Sequence, residues 1–274
     1  IDKAVRRILS LKFQMGLFDD PFVDEKQAVQ LVASSEHTGL AREVARQSIV
    51  LLKNKDKLLP LKKDIRTLAV IGPNADNVYN MLGDYTAPQA DGTVVTVLDG
   101  IRQKVSKETR VLYAKGCAVR DSSRTGFKDA IETARNADAV VMVMGGSSAR
   151  DFSSEYEETG AAKVTINQIS DMESGEGYDR ATLHLMGRQL ELLAEISRLG
   201  KPVVLVLIKG RPLLMEGAIQ EAEAIVDAWY PGMQGGNAVA DVLFGDYNPA
   251  GRLTLSVPRS VGQLPVYYLS LIHI

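Results

Sequence analysis

The sequence predicts an α/β protein, a three-layer sandwich in which helices cover both faces of a mainly parallel sheet. Short apolar runs rich in β-branched residues recur along the chain, as expected of strands that are buried on both faces. Segments with helical apolar spacing alternate with these runs. With 274 residues, of which 45% are hydrophobic, the chain is long and apolar enough to bury such a core.

The first elements are predicted to be helical. Residues 1–34 are expected to form a helix and then a linker, because Gly16 and Pro21 interrupt the apolar pattern. The apolar face of this helix is made of Ala4, Val5, Ile8, Leu9, Leu11 and Phe13. A second helix is predicted from Ser35, since apolar residues recur at helical spacing from Leu40 to Leu52.

The alternating part of the chain follows. Its predicted strands are TLAVIG (67–72), RVLYA (110–114), ADAVVMVMG (137–145), KPVVLVLI (201–208) and AEAIVDAWY (222–230), with RLTLSV (252–257) as a candidate last strand. The predicted helices lie at 97–105, 127–137, 185–199 and 235–245. Functional loops of open α/β sheets follow the carboxyl ends of strands. Three loops are therefore candidates: GPNADN, residues 145–184, and WYPGMQGGNA.

The net charge and the cysteine, histidine and serine patterns argue against several classes of function. The formal net charge of -2 gives no reason to expect binding to nucleic acid or to an anionic membrane. Cys117 is the only cysteine, and His37, His184 and His273 show no zinc-ligand spacing. We therefore expect neither a metal nor a cofactor. A nucleophilic serine in a G-x-S-x-G turn is also absent.

The segment 145–184 is the most informative of the three loops. Long connections without periodicity are usually functional in compact domains, although its many acidic residues fit a solvated loop equally well. The string ESGEGYDR favours a functional interpretation. Two glycines flank Glu176, so the backbone can present one carboxylate from a tight bend. Tyr178 and a predicted Asp179–Arg180 pair lie beside it.

Two other features of the sequence each have two possible interpretations. GMQGGNA, at a strand-to-helix turn, suggests either a phosphate-binding helix N-terminus or close packing between elements. The string lacks G-x-G-x-x-G spacing and a Walker lysine, so packing is favoured. Trp229, the only tryptophan, fits a core residue and a wall of the site equally well.

The ordered strings LKFQMGLFDDPFVD, AVIGPNADN, SGEGYDRATLHLMGRQLELL, KPVVLVLIKGRPL and AWYPGMQGGNAVADVLFGDYNPAGRLTLSVPRSVGQLPVYY resemble the second half of enzymes of glycoside hydrolase family 3. The resemblance runs from about residue 1 to 268. This family includes β-glucosidases and β-xylosidases. Each string is moderately specific, but their order and spacing together are highly specific.

The resemblance implies a domain organisation. Residues 1–34 match the end of an N-terminal barrel domain and the interdomain linker, and 35–258 match the α/β sandwich domain. Residues 259–274 match the start of an exit toward a fibronectin-like domain, except that the final LSLIHI does not fit. In this family the barrel carries the aspartate nucleophile, so we expect the nucleophile upstream of Ile1.

The resemblance also implies the site. It maps the general acid/base onto Glu176, with Glu173 as the runner-up. It places Tyr178, Asp179 and Arg180 on the substrate-site loop, where the Asp–Arg pair is expected to hold the loop. The implied substrate is an oligosaccharide or another β-glycoside, and the implied partner is the barrel domain.

The function that the resemblance implies is exo-acting, retaining hydrolysis of terminal β-D-glucosyl or β-D-xylosyl residues. Because the nucleophile is expected elsewhere, this chain alone is expected to be inactive. A periplasmic or secreted location is implied by the same resemblance. Two alternatives stay open: a nucleotide-binding domain, for which GPNADN is a poor phosphate loop, and a non-catalytic carbohydrate-binding or interaction module.

Overall fold

The computed structural model describes residues 1–150, 158–159, 171–175 and 178–266. Glu176 and the final residues, LSLIHI included, lie outside this part of the chain. The chain divides into two compact units, Ile1–Leu40 and Ala41–Ile274. Among the described residues, no helix is both long and apolar enough to cross a membrane.

The first unit is helical. It contains α1 (Asp2–Gln14), α2 (Glu25–Leu31) and the beginning of α3 (Ser35–Ser48). The start of α2 is fixed by Asp24, whose carboxylate accepts a hydrogen bond from the backbone N–H of Lys26 at 2.9 Å. The predicted apolar face of α1 is exposed, since Ile8 is 61% and Phe13 67% accessible.

The second unit is built on a six-stranded sheet with the order β1-β6-β5-β4-β2-β3. Its strands are β1 (Val50–Asn54), β2 (Thr67–Ile71), β3 (Arg110–Ala114), β4 (Ala139–Gly145), β5 (Val203–Ile208) and β6 (Ala224–Trp229). All neighbouring pairs are parallel except β1 and β6, which are antiparallel. The predicted mainly parallel α/β sheet is confirmed.

Helices follow most of these strands. They are α4 (Val78–Leu82), α5 (Val97–Lys104), α6 (Phe127–Arg135), α7 (Gln189–Ser197), α8 (Ala218–Glu221) and α9 (Gly235–Leu243). The side chain of Thr96 accepts a hydrogen bond from the N–H of Asp99 at 3.2 Å and so defines the start of α5. After α9 the chain turns at Gly245, whose φ of +78° is favourable for glycine.

A separate core lies on each face of the sheet. Val141 and Val206 of the central strands point to the face covered by α5 and α9. Met142 and Leu205, one position along each strand, point to the face covered by α6 and α7. The alternation of side chains along a strand therefore requires apolar residues at every position of β4 and β5, and both are buried throughout.

Glycines bring α5 and α9 into close contact. A Cβ atom on Gly236 would lie 1.9 Å from the carbonyl oxygen of Thr96, and one on Gly100 would lie 2.1 Å from the carbonyl oxygen of Gly236. Side chains at these positions would force the helices apart. The packing interpretation of GMQGGNA is confirmed.

Two predicted elements differ from the structure. The helical pattern predicted through Leu52 ends at Ser48, and Val50–Asn54 instead forms β1. Apolar spacing did not separate the helix from the short edge strand, because the spacing continues across their boundary. Residues 252–257, the candidate last strand, form no strand; the carbonyl of Ile49 instead accepts a hydrogen bond from the N–H of Gly251 just before them, at 3.2 Å.

The direction in which successive strands are added to the sheet reverses between β2 and β4. From β2 the chain passes outward to β3 at one edge, and it then returns to β4 on the other side of β2. The loops that leave the carboxyl ends of β2 and β4 therefore start on either side of this reversal point. Ligands of open α/β sheets bind at such reversal points.

Candidate functional site

A buried amide joins the loops at the carboxyl edge of the sheet. Asn74, which follows β2, is fully buried. Its Nδ2 atom donates to the carbonyl oxygens of Gly146 at 3.0 Å and Ile208 at 3.3 Å. The loops after β2, β4 and β5 are thus held together by a single side chain.

The amide network continues toward the segment 171–180. The Oδ1 atom of Asn74 accepts a hydrogen bond from Asn80 Nδ2 at 2.7 Å, and Asn80 Oδ1 accepts one from the Ser147 hydroxyl at 2.6 Å. The carbonyl of Ser147 in turn accepts from the backbone N–H of Glu173 at 2.8 Å. From the sequence, GPNADN was only a candidate loop, since nothing in its spacing connects Asn74 to Gly146, which lies 72 positions later.

Residues 171–175 are anchored on their other side as well. The Oδ1 atom of Asp171 accepts hydrogen bonds from the backbone N–H groups of Val119 at 3.0 Å and Arg120 at 3.3 Å. The Nη1 atom of Arg120 donates to the carbonyl of Met172 at 2.9 Å. Since both sides are hydrogen-bonded, this segment is fixed to the sheet edge rather than solvated along its length.

Glu173 and Arg180 form a buried ion pair. The Nη1 atom of Arg180 donates to Glu173 Oε2, and the two side chains are only 3% and 1% exposed. Arg180 also donates from Nε to the carbonyl of Thr182 at 3.0 Å and from Nη2 to that of His184. Burial lowers the pKa of Arg180, and the carboxylate of Glu173 opposes this shift. Arg180 therefore pairs with Glu173. The sequence had suggested a pair with Asp179 instead.

The second oxygen of Glu173 is buried without a hydrogen-bond partner among the described residues. It lies against Gly146, where a Cβ atom would be 2.0 Å from Oε1. Only a glycine leaves room for the carboxylate at this place.

Glu176 lies outside the described residues, but its neighbours Gly175, Tyr178 and Asp179 are described. The carbonyl of Gly175 accepts a hydrogen bond from the N–H of Tyr178 at 3.2 Å. The ring of Tyr178 lies 5.8 Å from the guanidinium of Arg120, and Asp179 is exposed. Gly175 has φ of +114°, and a Cβ atom there would lie 2.5 Å from Met172 Cε. The left-handed φ favours a glycine before Glu176, whereas the flexible end of Met172 could move aside.

A second ion pair borders this segment. The Nε atom of Arg150 donates to Asp84 Oδ1 at 2.7 Å, and the two side chains are 18% and 12% exposed. The other oxygen of Asp84 would lie 2.9 Å from a Cβ atom on Gly175. Asp84 thus contacts both the loop that leaves β4 and the residue that precedes Glu176. Asp84 and Arg150 were not among the site residues predicted from the sequence.

The ends of β5 and β6 place a buried lysine under Trp229. The Nζ atom of Lys209 lies 2.6 Å from Asp227 Oδ2 and 4.1 Å from the centre of the Trp229 ring. Burial raises the pKa of Asp227, and the charge of Lys209 opposes the rise. Trp229 is half-buried, with φ of +55°. It covers a buried charge, which neither of the two interpretations from sequence included.

Known proteins resemble this chain over nearly its whole length. Residues 49–273 match the model of the glycosyl hydrolase family 3 C-terminal domain. The chain is 43% identical over 277 residues to a β-xylosidase of Formosa agariphila, and 39% identical over 293 residues to a periplasmic β-glucosidase of Salmonella typhimurium. Each alignment covers 98% of this chain and 35% of the relative.

Two solved structures of β-glucosidases also resemble this chain. A β-glucosidase from Erythrobacter marinus superimposes with a TM-score of 0.79 at 38% identity, over 96% of this chain and 35% of that protein. A β-glucosidase from Listeria innocua in complex with glucose gives a TM-score of 0.79 at 31% identity, over 97% of this chain and 33% of that protein. The chain thus spans about a third of the length of these relatives. With the family model matched over most of its residues, the chain belongs to glycoside hydrolase family 3.

Proposed function

We propose that this chain is the part of a retaining, exo-acting β-glycosidase that supplies the general acid/base, and that the enzyme removes terminal β-D-glucosyl or β-D-xylosyl residues. The anchoring of residues 171–175 at the reversal point of the sheet carries the proposal. A carboxyl group that serves catalysis needs a fixed loop at a ligand-binding edge. The relatives are named β-xylosidases and β-glucosidases, which favours these two sugars.

We assign the acid/base to Glu176 rather than Glu173. The carboxylate of Glu173 is buried and already bound to Arg180, so it would have to leave this pair to reach a glycosidic oxygen. Its contacts suit a structural role that fixes the loop. Glu176 lies between Gly175 and Tyr178 in sequence, and these two residues are joined by a backbone hydrogen bond. Tyr178 would then lie on the substrate-site loop, and Asp179 would be its exposed neighbour.

In this mechanism, two carboxyl groups about 5–5.5 Å apart act on opposite sides of the anomeric carbon. The protonated Glu176 gives its proton to the glycosidic oxygen while the nucleophile forms a covalent bond to the sugar. Its carboxylate then takes a proton from the water that hydrolyses this intermediate. We place the nucleophile in an N-terminal barrel domain upstream of Ile1, so this chain alone would not hydrolyse glycosides.

The rest of the organisation follows the same proposal. Residues 1–34 would be the end of the barrel domain and the linker, 35–258 the sandwich domain, and 259–274 the exit toward a fibronectin-like domain. A periplasmic or secreted location fits the proposal, since one relative is a periplasmic β-glucosidase.

The assignment is tested in the full-length protein by Glu176→Ala. With a poor leaving group, which needs the acid, we expect a fall in kcat of about 100-fold or more. With an activated leaving group, which needs no acid, azide should restore turnover, because it replaces the water that needs a base. Glu173→Ala is the matched variant, and it should show no azide rescue. Azide rescue of Glu173→Ala, with none for Glu176→Ala, would reverse the assignment. Turnover of an aryl β-glycoside by the 274-residue chain alone would contradict the location of the nucleophile.

A further inference from the structure

Asn80 is a buried amide in the short helix α4. It is only 3% exposed and lies in the interior of the helix, Val78–Leu82. Asparagine is a poor helix former, and burial of its side chain costs free energy unless its polar atoms are hydrogen-bonded. Neither helix formation nor core packing accounts for an amide at this place, so its reason lies in its hydrogen bonds.

The orientation of the Asn80 amide is determined by its neighbour Asn74. The Nδ2 group of Asn74 donates to two carbonyl oxygens, so its Oδ1 atom is the one that faces Asn80. Asn80 therefore presents Nδ2 to Asn74, at 2.7 Å, and Oδ1 to the Ser147 hydroxyl, at 2.6 Å. The hydroxyl proton of Ser147 is thus committed to Asn80, and its oxygen accepts from the N–H of Ala149 at 3.2 Å.

Ser147 transmits this orientation to the backbone that leads into the proposed acid/base. The residue is 1% exposed, and its hydroxyl is held by Asn80. Its carbonyl oxygen accepts from the backbone N–H groups of Glu173 at 2.8 Å and Ser174 at 3.3 Å. These two residues lead through a single glycine to Glu176. A rotation of the Ser147 peptide would therefore move the backbone just before Glu176.

A small displacement of this backbone is sufficient to affect the chemistry. A general acid has to lie within about 2.6–3.2 Å of the oxygen that it protonates. A misplacement of about 1 Å, caused by a mutation far from the reacting atoms, can lower a rate by about 100-fold. The ion pair of Glu173 with Arg180 joins this loop to its own later residues, whereas the hydrogen bonds of Asn80 and Ser147 join it to the sheet edge.

We infer that Asn80 is a positioning residue for the acid/base. Through Ser147, its amide sets the place of the backbone before Glu176 and thereby the approach of the Glu176 carboxyl to the leaving-group oxygen. Because Asn80 is nearly inaccessible, it acts through Ser147 and not by contact with the sugar. This inference rests on the proposed role of Glu176.

The test compares two leaving groups in the full-length protein. Phenol is a poor leaving group that needs the acid, whereas dinitrophenol leaves without one. For Asn80→Ala we expect kcat/KM of the phenyl β-D-glucoside or β-D-xyloside to fall about tenfold or more, and that of the dinitrophenyl glycoside to stay unchanged. A loss of folded protein would lower both values equally. Ser147→Ala, a smaller change, should give the same pattern, and the double variant should show no further fall because the two side chains act in series.

Asn54→Ala is the matched control. The Asn54 side chain also forms two hydrogen bonds, with the backbone N–H of Leu59 at 2.9 Å and its carbonyl at 3.0 Å. Asn54 pairs with Ala224 at the beginning of β6, so it lies at the opposite, amino edge of the sheet. This variant should lower the melting temperature while leaving the ratio of the two kcat/KM values unchanged.

The outcomes separate this inference from the proposed function. If Asn80→Ala and Ser147→Ala lower kcat/KM for both glycosides equally, or for neither, while Glu176→Ala affects only the phenyl glycoside, the inference about Asn80 is wrong and the proposed function stands. If Glu176→Ala does not discriminate between the two glycosides, both are wrong. Additive falls in the double variant would contradict a common path through Ser147. If Asn80→Ala does not fold, Ser147→Ala decides the question.

Discussion

The carboxylate of Glu173 is bound to the guanidinium of Arg180 in a pair whose side chains are 1% and 3% exposed. Each charge depends on the other, because water is nearly excluded from both. Loss of one partner from a buried pair typically costs about 3–5 kcal/mol, since the remaining charge is left uncompensated. We expect Arg180→Met to lower the free energy of unfolding by this amount in urea denaturation.

An exposed ion pair provides the control for this variant. Arg188 and Glu191 are 3.0 Å apart, with side chains 46% and 33% accessible. Surface pairs contribute about 0–1 kcal/mol, so Arg188→Met should change the unfolding free energy little. Equal losses for the two variants would show that burial of the Glu173–Arg180 pair has no energetic consequence.

Gly146 is expected to be intolerant of any side chain. A Cβ atom there would lie 2.0 Å from Glu173 Oε1 and 2.9 Å from its Cδ. Gly146→Ala should cost about 1–3 kcal/mol in urea denaturation, because the carboxylate has to move from its place beside Arg180. In a Glu173→Ala background the same substitution should cost clearly less, and an equal cost in both backgrounds would exclude this clash as the cause. Gly39→Ala, in helix α3 with nothing within 4 Å of the new Cβ, should stabilise by about 0.5–1 kcal/mol.

The stability of the second unit should fall in acid through Asp241. Burial would raise the pKa of Asp241, but hydrogen bonds from Arg42, Lys104 and Arg46 outweigh it and lower the pKa to about 2. In the unfolded chain the same carboxyl has its ordinary pKa of 3.8. The stabilisation is therefore complete above pH 4 and is lost as the pH falls toward 2.

Its expected size is about 2 kcal/mol, from about 1.36 kcal/mol for each pKa unit. Urea denaturation at pH 7, 4, 3 and 2 measures it. Asp241→Asn should be less stable at pH 7 and should lose less of its stability on acidification. A parallel acid dependence of the parent chain and this variant would contradict the role of Asp241.

Lys209→Met should leave Asp227 as an unpaired buried carboxylate. The two side chains are each 1% exposed and 2.6 Å apart. We expect a loss of about 3–5 kcal/mol at pH 7. Because burial raises the pKa of Asp227 in the folded protein, protonation would relieve the unpaired charge, and the loss should shrink as the pH falls. Lys107→Met, at an exposed position, is the control and should show neither effect.

The central strands could be predicted from the sequence because both of their faces are buried. Every position of β4 and β5 must then be apolar, which gives a continuous signal. Strand β1 lies at the sheet edge and is only partly buried, so its residues carry no such pattern. Because β1 directly follows a helix with similar apolar spacing, the sequence did not distinguish the strand from the helix.

The site was predicted less completely than the fold. The glycine before Glu176 signalled a tight bend, and Gly175 does adopt a left-handed φ. The partner of Arg180 could not be predicted, because Glu173 lies seven positions away across a loop without periodicity. Tyr85 has φ of +58°, which the residue types around it do not indicate. Contacts of this kind are decided by the tertiary structure, not by local preference.

The anchors on both sides of residues 151–170 have a consequence for the residues between them. Arg150 is held by Asp84 before the segment, and Asp171 is held by the backbone of Val119 and Arg120 after it. All of these partners belong to other parts of the chain. The hydrogen bonds that hold residues 171–175 therefore do not depend on the length or the composition of the intervening residues.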